Sequence, residues 1–254
     1  MNQRVKIMSR THYANVTIND KNIFKRNLQK TRYRHALLAL KELSPSFSGN
    51  ILDYGGGNGQ LCKYISESFP VADLTMYEPA SELREEAAGN LKDYLQIRIT
   101  DSISNISASF FDVIFCLAVF EHILEDRYCV MLNDFNKLLK SDGLLVIGVP
   151  VEVHLPALFK GVFRMGRRYG AYDANIKNVF RCVIGKPPGN RPISNIDVSL
   201  PYYFDHLVFN ERIFRNELIK HFKIFRIYGS PLPFLWAGLN FEKYYLCKKY
   251  EKIV

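Results

Sequence analysis

The stretch Ile51-Leu52-Asp53-Tyr54-Gly55-Gly56-Gly57-Asn58-Gly59-Gln60-Leu61 decides the fold. Its apolar start reads as a buried strand, its glycines as a tight turn, and Gln60-Leu61 as the opening of a helix. Asp53 stands at the strand end, and Gly55, Gly57 and Gly59 follow at alternate positions. Glycine alone turns a backbone this sharply at positive φ and lets it lie flat against a ligand. A turn of this kind at the carboxyl end of a first strand is where doubly wound α/β folds hold nucleotide-like ligands. The spacing narrows the choice. A dinucleotide fingerprint requires G-x-G-x-x-G, but the sixth position is Gln60 counted from Gly55 and Cys62 counted from Gly57. A P-loop is excluded as well, because no Gly-Lys-Ser/Thr follows.

Further strands repeat the theme of an apolar run with an acid at or near its end. Leu74-Thr75-Met76-Tyr77-Glu78-Pro79 is the second, and Glu78 lies 19 residues after Gly59. That offset is close to the one at which a carboxylate grips ribose hydroxyls in this architecture, accepting two hydrogen bonds at once. Leu95 to Asp101 reads as a third strand and Phe110 to Leu117 as a fourth. Glu121-His122-Ile123 is expected to open a helix. Leu138 to Pro150 reads as a helix end, a turn at Ser141-Asp142-Gly143 and a fifth strand. Near the C-terminus, Phe222–Tyr228 and Lys243–Lys248 form alternating or aromatic-rich runs joined by a Pro/Gly-rich loop. Strands alternating with helices argue for a parallel sheet.

The pattern D-x-G-x-G-x-G resembles motif I of the class I S-adenosylmethionine-dependent methyltransferases. Residues from about 49 to 150 are similar to that family in the order and spacing of five segments. The resemblance implies an α/β, Rossmann-like, doubly wound, seven-stranded, mostly parallel sheet with a C-terminal antiparallel strand and an inserted cap. It divides the chain into an N-terminal helical cover (1–48), a cofactor-binding core (49–150), a basic cap for the acceptor (151–205), and a last helix with a closing strand pair (206–254). It implies S-adenosylmethionine as cofactor and S-adenosylhomocysteine as product. Gly55, Gly57 and Gly59 would approach the methionine part, with Asp53 holding their loop through hydrogen bonds. Glu78 would bind the ribose, and Asp101 with Ser102 would meet the adenine amino group. Cys116, Leu117, Ala118 and His122 would line the pocket.

A hydroxyl acceptor must lose a proton, which calls for a nearby base such as histidine. The chain has six histidines, and two stand at suitable places. His154 lies four residues past Pro150, and His206 lies in Tyr202-Tyr203-Phe204-Asp205-His206. For each, the alternative is a structural histidine with satisfied hydrogen bonds. His35 is expected on an N-terminal helix over the pocket.

Charge is unevenly placed along a chain of net +9. Residues 46–156 carry sixteen acids against seven bases, whereas residues 157–192 carry eight bases and only Asp173. An acidic cradle suits a sulfonium cation. The basic segments suit an acceptor carrying phosphate, or an anionic membrane surface; a merely solvated basic surface is the alternative. The five cysteines (62, 116, 129, 182, 247) never take C-x-x-C spacing, which argues for reduced thiols, a cytoplasmic setting and no metal. No apolar run of membrane-spanning length and no signal-peptide h-region are found.

The acceptor reads as a small molecule. The base-methylating Asn/Asp/Ser-Pro-Pro-Tyr/Phe motif is missing after the fourth strand, where Cys116-Leu117-Ala118-Val119 stands; nucleic acid is therefore not expected. The run Val149-Pro150-Val151-Glu152-Val153-His154-Leu155-Pro156 resembles members associated with surface-polysaccharide assembly. That resemblance implies O-methylation of a sugar on a nucleotide- or lipid-linked carrier. Two rivals stay open. One is a quinone or lipid methyltransferase, with the apolar loop Pro231–Leu239 touching a bilayer peripherally. The other is a non-catalytic subunit built on the same fold. The sequence leaves the oligomeric state open.

Overall fold

The computed structural model describes residues 23–44, 46–104, 106–189, 191–195, 201–203 and 205–251. Residues 1–22 of the expected N-terminal cover, with His12, lie outside these, as do Asn190, residues 196–200 and Phe204 of the expected cap. The strands are β1 (Asn50–Tyr54), β2 (Asp73–Tyr77), β3 (Ile97–Thr100), β4 (Phe111–Leu117), β5 (Leu139–Pro150), β6 (Ile193–Asn195), β7 (Pro201–Tyr203), β8 (Lys223–Ser230) and β9 (Glu242–Lys248). The helices are α1 (Ile23–Leu43), α2 (Gln60–Ser68), α3 (Ser81–Asn90), α4 (Tyr128–Leu138), α5 (His154–Arg168), α6 (Ile176–Val183) and α7 (Glu211–His221).

Seven strands form one sheet in the order β3-β2-β1-β4-β5-β9-β8. β9 runs antiparallel to both neighbours, and the pairs from β3 to β5 are parallel. The central strands are apolar at nearly every position because both faces are covered. Alternate residues serve opposite layers. Ile51, Leu144 and Val146 join the core under α1 and α2. Leu52, Leu145 and Ile147 join the core under α4 and α7. On α4 the buried residues Tyr128, Met131, Leu132, Phe135 and Leu138 recur at helical spacing, so one stripe meets the sheet. The order of strand connection reverses between β1 and β4. The crevice at their carboxyl ends is therefore the expected ligand position in such a sheet.

Two local expectations are corrected. Glu121-His122 does not open a helix. Phe120–His122 and Glu125–Arg127 are separate 3-10 turns, and α4 starts only at Tyr128. Nor does Ser141-Asp142-Gly143 form a turn between elements, since β5 is already extended from Leu139. The extra residues are taken up as an irregularity in the ladder: Phe111 pairs with Leu139 and Val113 with Leu144.

The segment after β5 carries α5, α6 and the separate antiparallel pair β6–β7, whose Tyr203 meets His122 in the turn after β4. Asn175 starts α6 by accepting a hydrogen bond from Lys177 N, and Asn210 starts α7 by accepting from Arg212 N and Ile213 N. α1 packs on the far strands. Tyr244 and Tyr228 donate their hydroxyls to the carbonyls of Arg32 and His35, and His35 Nδ1 lies 2.9 Å from Ser230 Oγ.

Candidate active site

The glycine loop leaves β1 at the point where the strand order reverses. Gly55 N and Gly56 N donate to Tyr77 O on β2, at 2.8 and 3.1 Å. Gly55, Gly57 and Gly59 all have positive φ, between 58° and 80°. Their surroundings differ. A Cβ on Gly55 would lie 2.6 Å from Val119 Cγ2, and one on Gly59 2.7 Å from Leu91 Cδ1; one on Gly57 would meet nothing within 4 Å. Positions 55 and 59 are thus closed by packing, while the apex of the loop faces open space.

Glu78, buried at the end of β2, grips that apex. Its Oε2 accepts from Gly57 N and its Oε1 from Ala80 N, both at 3.0 Å. The loop is therefore tied by Tyr77 O and Glu78, whereas the Asp53 carboxylate accepts from the Cys62 thiol on α2 at 3.2 Å. Burial raises the Asp53 carboxyl to about 7, partly offset by that thiol bond, with the neighbouring Glu78 pushing the same way as burial. Asp101 stands exposed at the next strand end with Arg84 3.6 Å away, and Ser102 hydrogen-bonds the Ser104 hydroxyl.

β4 ends in Cys116 and Leu117, both buried, and Ala118 then adopts φ 56° with its N–H donating to Gly148 O. A non-glycine residue held in this region is a strained position, of a kind that clusters at functional sites. The next turn carries Glu121 and His122. Tyr203 on β7 fixes His122, whose Nδ1 lies 2.7 Å from the Tyr203 carbonyl. A carbonyl only accepts, so Nδ1 carries the proton and, in the neutral ring, Nε2 carries the lone pair. His206 packs edge-on against this ring, with centroids 4.7 Å apart. Burial, and then the neighbouring His122, lower the His206 pKa well below the usual histidine value, so its imidazole is neutral at pH 7. Arg191 clamps the arrangement by donating to the carbonyls of Glu121 and Asp205 and stacking over Tyr203.

Glu121 is a site residue that the sequence reading did not single out. It is completely buried, and neither carboxylate oxygen has a hydrogen-bond partner among the described residues. Its Oε1 lies 3.8 Å from His206 Nδ1. Burial, and then the nearby Glu242, raise its pKa to about 8 against the opposing pull of Arg32 and Arg191. The available signal was an acid placed directly after the apolar run Leu117–Phe120.

His154 is not brought into this cluster. It starts α5 with φ 57°, is exposed, and lies 3.3 Å from Val183 O through its Nδ1. The basic residues of the cap also behave differently from a solvated face. Lys160 and Arg164 turn inward onto the fully buried Glu152, at 2.9 to 3.0 Å, and Arg164 and Arg168 reach the buried Asp173. Although burial opposes its ionisation, Arg164 and Lys160 hold the Glu152 carboxyl well below the usual range. Meanwhile Leu155, Leu158, Phe159, Val162 and Phe163 face solvent on the same helix, joined by Ile176, Phe180 and Ile184 on α6 and its C-terminus. On this helix Lys160 and Arg164 point inward while several large apolar side chains face solvent.

A family model described as Methyltransferase domain matches residues 24–175. The chain belongs to the methyltransferase-domain family. Solved structures agree on the fold of this methyltransferase. PH0226 protein from Pyrococcus horikoshii OT3 superposes with a TM-score of 0.57 at 13% identity, covering 94% of this chain and 99% of that one. Magnesium protoporphyrin IX methyltransferase from Synechocystis PCC 6803, solved with S-adenosylhomocysteine bound, gives 0.55 at 14% identity over 91% and 89% of the two chains. The 1,6-didemethyltoxoflavin-N1-methyltransferase of Burkholderia thailandensis, also solved with S-adenosylhomocysteine, gives 0.52 at 17% over 96% and 92%. No curated protein matches the chain. The methyltransferase's donor is S-adenosylmethionine, and the residues fit it: the open apex at Gly57 and the buried carboxylate of Glu78 stand side by side at the switch point.

Proposed function

We propose that the protein transfers a methyl group to a hydroxyl of a small-molecule acceptor, a sugar on a lipid- or nucleotide-linked glycan carrier. The observation that carries this reading is the neutral His206 imidazole, packed against His122 beneath the cap. The bound donor supplies a methyl group already activated on a sulfonium, so the protein's work is alignment and proton removal. In this reading Asp53, Gly55, Gly57 and Gly59 form the cradle, and Glu78 exchanges its Gly57 bond for the ribose hydroxyls. Asp101 and Ser102 meet the adenine, and Cys116, Leu117, Ala118 and His122 wall the pocket. His206 takes the hydroxyl proton as the oxygen is methylated. His154 is the other candidate, weakened by its exposure and by its contact with Val183 O at the end of α6 rather than with the His122 cluster.

The cap's outer surface supports a carrier held at a membrane. Apolar side chains on α5 and α6 facing water, with Lys177, Arg181 and Lys186 exposed nearby, have the composition of an interfacial anchor. Lys160 and Arg164 are engaged below, whereas Lys177, Arg181 and Lys186 are exposed cations among the described residues that would meet phosphate. The same surface supports a second reading, in which the acceptor is itself a membrane lipid or quinone.

The test is label transfer from methyl-labelled S-adenosylmethionine into a cell extract split into glycan-carrier, lipid, nucleic-acid and protein fractions. Label in the glycan-carrier fraction is expected. Label in the lipid fraction alone favours the second reading. Label in neither, with the donor still bound, overturns both and favours a non-catalytic subunit. Co-sedimentation with anionic vesicles at low salt checks the membrane contact, and its absence removes that element.

A further inference from the structure

Both carboxylate oxygens of Glu121 are buried without a hydrogen-bond partner among the described residues. A carboxylate buried without a hydrogen bond costs several kcal/mol unless something compensates it. Its surroundings offer a specific compensation. The ligand-competent atoms of Glu121, His122 and His206 all lie within 4.8 Å of one another. The tautomer of His122 is set by Tyr203 O, so its Nε2 presents a lone pair. A carbonyl holding the far nitrogen of a histidine is the usual outer support of a metal-bound imidazole. His206 turns its Nδ1 toward Glu121 Oε1, 3.8 Å away, and packs edge-on against the His122 ring.

We propose that Glu121, His122 and His206 form a binding site for a divalent transition-metal ion beside the methyl-donor pocket. Two imidazoles and one carboxylate are the donor set of catalytic zinc sites, which leave a fourth position open. Ligands about 2.1 Å from such an ion stand roughly 3.4 Å apart, so the cluster needs about an ångström of side-chain movement to close. The cysteine spacing, which speaks against a thiolate zinc site, has no bearing on a histidine and carboxylate set. The site also has a place in the reaction. Val119, three residues before His122, packs against Gly55 of the glycine loop. The open position on the ion would therefore sit near the transferred methyl group.

The role of that open position rests on the methyltransferase reading; the binding of the ion does not. Coordinated there, an acceptor hydroxyl would become more acidic and would lose its proton to water before the oxygen takes the methyl group. His206 is then a ligand, and the two roles exclude each other in one protein state. The ion would replace direct proton removal by imidazole with acidification of the hydroxyl.

The experiment uses full-length protein stripped with chelator, without donor or acceptor, titrated with Co2+ as a spectroscopic probe and Zn2+ as competitor. Expected are one equivalent of Co2+ with visible d–d absorption, its displacement by Zn2+, and a Zn2+-dependent rise in melting temperature. Glu121→Gln and His206→Gln should each weaken binding at least tenfold, while His221→Gln should not. His221 belongs to a second, more exposed trio with Cys129 and Glu217. Loss of the signal in His221→Gln alone, a near-ultraviolet thiolate band, or no stoichiometric binding would each overturn the proposal. Ion binding without any methyl transfer would leave the site standing and count only against the methyltransferase reading of its role.

Discussion

Glu152→Gln tests whether the cap is held from within. The Glu152 side chain is fully buried and accepts three hydrogen bonds, one from Lys160 Nζ and two from the Arg164 guanidinium, at 2.9 to 3.0 Å. Breaking one partner of such a buried pair costs about 3–5 kcal/mol, because the other charge stays buried without its counterion. Two cations lose their counterion here, but glutamine keeps one carbonyl acceptor, so the lower end, about 3 kcal/mol, is expected. For a chain of this length each kcal/mol moves the melting temperature by roughly 2–4 °C, so a fall of about 6–12 °C follows. Calorimetry at neutral pH reads it directly. The pH dependence supplies the sign. The folded carboxyl titrates below its ordinary value of 4.5, so its contribution is present above that pH and is lost as the pH falls. Wild type and variant should therefore converge in acid. A fall under about 2 °C at neutral pH, or a gap that widens in acid, would refute the argument that these charges clamp the cap. The companion variant Glu152→Leu/Lys160→Met/Arg164→Met should recover much of the loss, since an apolar replacement of a buried ion cluster is often neutral or stabilising.

Other substitutions probe the donor and acceptor sides. Glu78→Ala should weaken donor binding tenfold or more, about 1.4 kcal/mol, by titration calorimetry; unchanged affinity would sink its assignment. Gly59→Ala should destabilise the fold, because its methyl group would overlap Leu91. Gly57→Ala, with open space around it, should melt much closer to wild type yet bind donor less well; the reverse ranking would contradict the loop geometry. In metal-free protein, His206→Ala should lower the rate of methyl transfer by about 10²–10⁴-fold, the usual worth of a positioned base. His154→Ala should change it less than His206→Ala does, and equal losses would show that exposure is a poor guide to the base here.

The sheet was legible because its signals are local. The unbroken apolar run Leu144-Leu145-Val146-Ile147 and the glycines at 55, 57 and 59 each describe a backbone that needs no distant partner to be recognised. Glu78 was legible by its distance from the loop. The turn after β4 was not. Glu121 and His122 look like a helix start, but Phe120 is drawn into the core against Tyr128 and Phe214, and the chain makes two short turns before α4 can begin. The cap was misleading in a different way. Lys160, Arg164 and Arg168 recur every four residues, the spacing of a solvated basic stripe. Their partners Glu152 and Asp173 lie at either end of the helix, and no periodicity rule announces that the stripe points inward. Of the histidines, His206 stands in the cluster through contacts spanning more than eighty residues of chain, which spacing does not encode.

The three loop glycines carry separate histories. Gly55 and Gly59 answer to Val119 and Leu91, so the architecture demands them whether or not a donor is ever bound. Gly57 answers to the emptiness above it. A descendant that had abandoned catalysis would keep the outer two and could let the middle one drift to asparagine, which tolerates positive φ. Position 57 is therefore where lost activity would first leave a written trace, while its two neighbours would go on advertising a site that no longer worked.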